Sequence, residues 1–152
     1  MMQRLSIATT LSMVLAACTA HGTNDSGAME GHLAEAEEEL DRHHGVVMDS
    51  TSLPDVIEEA GMHDSKMGRV MERMDHAMGG MMSHCSAAGT DEMHDAMAAM
   101  RSEMHDHAGA LENAADLRSA HALCESHFGE MSEMFSGMQR GLARASCRMM
   151  RY

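Results

Sequence analysis

A shift of 64 residues lays the second half of this chain on the first. His43 falls on His107 and His63 on His127, and the two histidines of each half stand 20 residues apart. The same shift places Gly45 on Gly109, Leu53 on Leu117, Met67 on Met131 and Met74 on Met138. Further back it places Met29 on Met93, Leu33 on Met97 and Leu40 on Met104. A duplication of this length constrains the fold more than any single motif. Each copy is one supersecondary unit that must bury its apolar face against the other.

The period within each copy is helical. Met29, Leu33, Ala36, Leu40, His43 and Val47 alternate steps of four and three, as do Met93, Met97, Met100, Met104, His107 and Leu111. Such spacing puts each set on one stripe of a helix, and the intervening acids on the other faces. A second stripe in each copy runs Val56, Ala60, His63, Met67, Val70, Met74, Met78 and Leu117, Ala120, Cys124, His127, Met131, Met134, Met138. Ser52 and Asp116 are aligned by the repeat and suit N-caps. The pattern predicts helices near 29–49, 53–83, 91–113 and 117–148. Short connections between amphipathic helices predict an all-α, antiparallel up-down four-helix bundle built from two repeated hairpins.

In such a bundle both hairpin loops lie at one end. His43, His63, His107 and His127 then share one level, one per helix, roughly 10–15 Å below that end. A buried imidazole needs a partner for each ring nitrogen. Four in one layer cannot all satisfy one another, and a metal ion is the simplest common partner. Cys124, one turn from His127, is an added soft ligand. Glu39 and Glu103 each stand four residues before a histidine and suit acceptors that orient the rings. Protons compete with metal for these nitrogens, so binding is expected to weaken as pH falls through about 6.5.

Beyond the layer the stripes are rich in methionine, of which the chain has 21 against two Phe and no Trp. Methionine specifies a core poorly, so leucine is the usual choice. Thioethers are soft ligands suited to Cu(I). Met67, Met74, Met104, Met131 and Met138 are therefore candidate ligands, while packing by an unbranched helix former explains the same stripe without metal. Met62, Met71, Met82, His76, His84 and His94 fall off the stripes. A formal net charge of −13 argues against nucleic acid as a partner.

The N-terminus reads as a leader. Arg4 precedes a short apolar run, and Leu15-Ala16-Ala17-Cys18 resembles a bacterial lipobox. That resemblance implies a signal peptide over 1–17 and acylation of Cys18; the small, polar residues that follow read as a flexible tether over 18–28, and the stripes predict a bundle over 29–152, with repeats about 29–83 and 91–148. The resemblance also implies export and a lipid anchor in the cell envelope; Thr19 after the cysteine implies the outer membrane, on its periplasmic face. Three cysteines remain, Cys85, Cys124 and Cys147. The repeat brings Cys147 near the level of Cys85, a candidate disulfide, although helices two and four should be diagonal.

By composition and repeat architecture the mature region resembles the Met/His-rich copper-binding proteins of bacterial envelopes, including copper-storage and copper-resistance four-helix bundles. It carries no signature of a named family, and it lacks the CxxxC pairs of the Cys-rich storage bundles. The resemblance implies Cu(I) sequestration or buffering, with zinc or haem as other occupants. A structural or chaperone-like helical lipoprotein without metal is the competing class, and a haem or redox bundle a third. LTxxQ motifs of helical envelope chaperones are missing, as is the CxxCH of covalent haem. No nucleophilic triad or phosphate loop points to an enzyme.

Overall fold

The computed structural model describes residues 21–83 and 85–145, with side chains from residue 25 onward. The leader, the lipobox at Cys18, His84 and Cys147 lie outside the described residues. Within them the regular elements are four helices: α1 His21–Asp49, α2 Leu53–Met82, α3 Ala87–Glu112 and α4 Leu117–Arg144. Helix α1 packs on α2 and α3 on α4 most extensively. The pairs α1–α4 and α2–α3 close the square, while α2 and α4 hardly meet. The chain is an all-α, up-down four-helix bundle, and none of these helices is long and apolar enough to cross a membrane.

The helix starts differ from expectation. Helix α1 begins at His21, inside the stretch 18–28 expected to be a flexible tether. Its partner α2 is 30 residues long, and Asp25 lies against Gly80 near the far end of that helix. The extra turns of α1 therefore have a surface to pack on. Helix α3 likewise starts at Ala87 rather than 91. The two aligned caps also diverge. Asp116 accepts a hydrogen bond from the Ser119 backbone N–H at 2.8 Å, a side-chain cap. Ser52 makes no such bond. Pro54 in the first turn of α2 removes one N–H that would have needed a partner.

The interior divides at the histidine level. On the loop side, Val47, Val56, Ala60, Leu111, Ala120 and Cys124 form one buried cluster. Val47 and Val56 flank the first hairpin loop, and Leu111 and Ala120 the second, so both loops close the same end of the bundle. On the other side lies a longer cluster in which 12 of the 19 buried residues are methionine. Among the described residues the loop-side cluster contains none. Both clusters are core, so burial alone does not select methionine.

Three details of the core depart from the stripes. Phe135, not Met134, is the α4 residue buried beneath Met131. Met71 is 4% exposed although it falls off the α2 stripe, because α2 meets α3 as well as α1 along this length. At the end away from the loops, α3 and α4 approach through glycine. A methyl group on Gly89 would stand 2.6 Å from the Gly141 carbonyl oxygen, so no larger residue fits without parting the helices.

Candidate metal centre

The four histidines converge. His43, His63, His107 and His127 are 0, 1, 5 and 1% exposed, one from each helix. They form two stacked pairs, each within one hairpin. The His43 and His63 rings stack with centroids 4.1 Å apart, and those of His107 and His127 at 3.9 Å. The pairs meet edge to face, with His43–His107 and His63–His127 both at 5.7 Å and His43–His127 at 6.2 Å.

Carboxylates hold the rings from outside the layer. Glu59 Oε1 lies 3.3 Å from His43 Nδ1, and Glu39 Oε1 lies 3.3 Å from His63 Nδ1. Glu103 Oε1 lies 2.9 Å from His127 Nδ1. Each acid stands four residues before the histidine of its own helix, yet holds the histidine of the neighbouring helix. The contacts are thus crossed, Glu39 of α1 to α2 and Glu59 of α2 to α1. Glu39 and Glu59 are held ionised and can only accept, so they fix the ring proton on Nδ1 of His63 and His43 and leave a lone pair on Nε2. The Nε2 atoms of all four histidines are buried without a hydrogen-bond partner. A buried ring nitrogen left unpaired costs about 1–3 kcal/mol, so four together are an expensive arrangement for packing alone.

Around the first hairpin the charges balance. Arg42 binds both acids, with Nε 2.8 Å from Glu39 Oε2 and Nη2 2.6 Å from Glu59 Oε1. Lys66 stands 3.4 Å from Glu39. Burial would raise both acids, but Arg42 and the facing histidines outweigh it and hold them below the usual carboxylate range. The second hairpin differs. Desolvation, then hydrogen bonding and repulsion from Glu130, then Asp106, push Glu103 up to about 7.

Burial also keeps the imidazoles neutral. Desolvation, reinforced by the neighbouring rings, pushes His63 down to about 3, His107 to about 4 and His127 to about 2. His43 is lowered by the same burial, against the pull of Glu59. Proton competition inside the folded layer therefore falls well below the 6.5 expected from an ordinary histidine.

Cys124 is buried and free, and burial pushes its thiol up to about 12. A ring nitrogen of His43, one of His107 and the Cys124 sulfur all lie within 4.8 Å of one another. Met67, Met104 and Met131 are buried on three helices, one turn from the layer on the side away from the loops. Met74 and Met138 are buried about two turns further along. Cys85 is disulfide-bonded; Cys147, the candidate partner, lies outside the described residues.

Glu59 and Arg42 were missed from sequence. Glu59 obeys the same spacing to His63 as Glu39 to His43, so the spacing rule could have found it. Its absence from the second copy, where position 123 is leucine, hid it from the repeat. Outside the layer, His44 stacks on Phe128 at 4.4 Å, and its Nε2 lies 3.3 Å from Glu125 Oε1 but out of line for a hydrogen bond. No family model, curated protein or solved structure matches this chain.

Proposed function

We propose that this bundle binds a soft transition-metal ion in its interior, copper as Cu(I) before zinc, and serves to sequester or buffer it. The observation that carries the reading is the set of four buried Nε2 atoms without partners, one from each helix, on rings packed into one layer. Neutral imidazole is the ligand form, and the crossed carboxylates supply the outer hydrogen bonds that orient metal-bound histidines. Buried methionine, gathered on one side of the layer, supports Cu(I), since thioethers are soft donors. A macrocycle suits the layer poorly, because imidazoles 3.9–6.2 Å apart leave no slot between them. The chain acts in this reading as a binding protein, not an enzyme. The Leu15–Cys18 signature supports delivery to the cell envelope with a lipid on Cys18.

The test replaces His43, His63, His107 and His127 with Gln and titrates parent and variant with Cu(I) and Zn(II) at pH 7. The parent should take Cu(I) tightly and melt at higher temperature when loaded, because the ion binds only the folded state. The variant should lose the tightest ion and its thermal shift. Equal binding by both would show that the layer is a polar core without metal.

A further inference from the structure

We infer that the ion's seat lies to one side of the layer, on His43, His107 and the thiolate of Cys124, and that its occupant is a soft monovalent ion of the Cu(I) class. This rests on the metal-binding reading above and deepens it. The three donors are 0, 5 and 0% exposed, and their ligand atoms lie within 4.8 Å of one another. Two nitrogens and a sulfur so placed come from three helices, α1, α3 and α4, and are near enough to converge on one ion. His63 and His127 stack against His43 and His107, and their Nδ1 atoms are tied to Glu39 and Glu103. They brace the ligating rings from behind.

The duplication sharpens the point. Two adjacent residues of α4 break the repeat at the layer: Leu123 stands where the first copy has Glu59, and Cys124 where it has Ala60. The first change deprives His107 of a counterpart to the Glu59 contact. The second sets a thiol beside that same ring. A carboxylate brace in one copy is thus exchanged for a soft ligand in the other.

Charge decides the valence. One thiolate and two neutral imidazoles carry a single negative charge. A monovalent ion neutralises it, whereas a divalent ion leaves a buried positive charge that needs an anion. Glu39 and Glu59 cannot serve, since Arg42 and Lys66 already balance them, and Glu103 is tied to Nδ1 of His127, which is not one of the three donors. Loading breaks the Cys124 S–H bond and forms a sulfur–metal bond. The proton leaves to solvent, and nothing is oxidised or reduced. A seat of three donors also lacks the fourth ligand that structural zinc takes, which favours Cu(I) in the same direction.

The experiment titrates the parent, Cys124→Ala and Cys124→Ser with Cu(I) under anaerobic conditions against bicinchoninate, in weak buffer so that released protons are counted. Circular dichroism checks the fold, and Ala60 at the equivalent place in the first hairpin shows that alanine fits. The parent should release one proton with the first ion, and an excess of Zn(II) should not displace it. Both variants should release none and bind more weakly, by more than the roughly 10–100-fold typical of losing an outer hydrogen-bond partner. Parent-like affinity in both variants, or displacement by Zn(II), overturns the seat while leaving the histidine layer as a metal site. A folded parent that takes no Cu(I) at all overturns the metal-binding reading itself.

Discussion

The two hairpins share a backbone and their imidazoles but not their wiring. In the first, Arg42 and Lys66 lie against Glu39 and Glu59, and both acids are held ionised. In the second, the corresponding positions are Asp106, Glu130, Glu103 and Leu123. Cations have become acids, and burial, then Glu130 and Asp106, raise Glu103 to about 7. The duplication fixed where the rings sit; later divergence set the charge around them. One half is an ion-paired clamp, and the other is an acid-rich wall with a thiol behind it. Symmetry of fold therefore gives no symmetry of chemistry, and the second half is where a cation gains most.

What the hairpins share should produce the largest effect. In the folded bundle His63, His107 and His127 stay neutral far below pH 6.5, and His43 moves the same way. The unfolded chain binds protons at these positions near 6.5, so it gains stability relative to the fold as pH drops below that value. One unit lower, each of His63, His107 and His127 costs about 1.4 kcal/mol, or roughly 4 kcal/mol for the three, and His43 adds in the same direction. Glu103 has the opposite sign: its contribution is full below the ordinary carboxylate range and lost as pH rises through about 7, but it is a single group. The metal-free bundle should therefore unfold in mild acid, between pH 6.5 and the lowered values, and bound metal should move the midpoint down. Equilibrium unfolding followed by circular dichroism against pH checks this. A fold indifferent to pH between 6.5 and 4.5 would break the picture of buried neutral imidazoles.

The next effect separates the halves. Arg42→Met leaves Glu39 and Glu59 without their shared cation and should cost about 3 kcal/mol. Asp106→Met, at the equivalent place, should be neutral or stabilising, since it removes repulsion from Glu103. Urea denaturation of the two variants reads the difference, and equal losses would erase the contrast between clamp and wall.

Rebuilding the first hairpin's network in the second sharpens it. Leu123→Glu alone should destabilise by about 1–3 kcal/mol, because it introduces an unbalanced charge near the core. Adding Asp106→Arg should recover much of that, giving a coupling of about 1 kcal/mol or more in a double-mutant cycle. Strictly additive losses would show that the crossed contacts do not form a unit.

The smallest effect is local. Glu130→Gln removes the nearest negative charge from Glu103, whose pKa should move down from about 7 toward the usual carboxylate range. A side-chain NMR titration reports it, with little change in overall stability.

The fold was legible because the repeat and the stripes agree: the 3.6 period named the helices, and the offset of 64 aligned them. The convergence of four histidines followed from that alignment alone. The roles of the acids were only half legible. Spacing on one helix picks Glu39 and Glu103, but the contact crosses to a neighbouring helix, and helix rotation decides that. Arg42 was invisible because it lies off the apolar stripe and its repeat partner is an acid. The lowered histidine values were missed for a related reason. They depend on how completely the rings are shut from water, which periodicity does not measure. Helix α1 began early because packing against a long α2 overrode the small, polar composition of its first residues.

The proposed metal site puts an ion among the imidazoles inside the bundle. X-ray absorption at the copper edge, on the parent loaded with one equivalent of Cu(I), tests it most directly. The expected first shell holds two nitrogen scatterers and one sulfur, with the outer-ring pattern of imidazole. A shell of sulfur alone would place the ion among the methionines, and a shell of oxygen alone would place it on surface carboxylates; either result would contradict it.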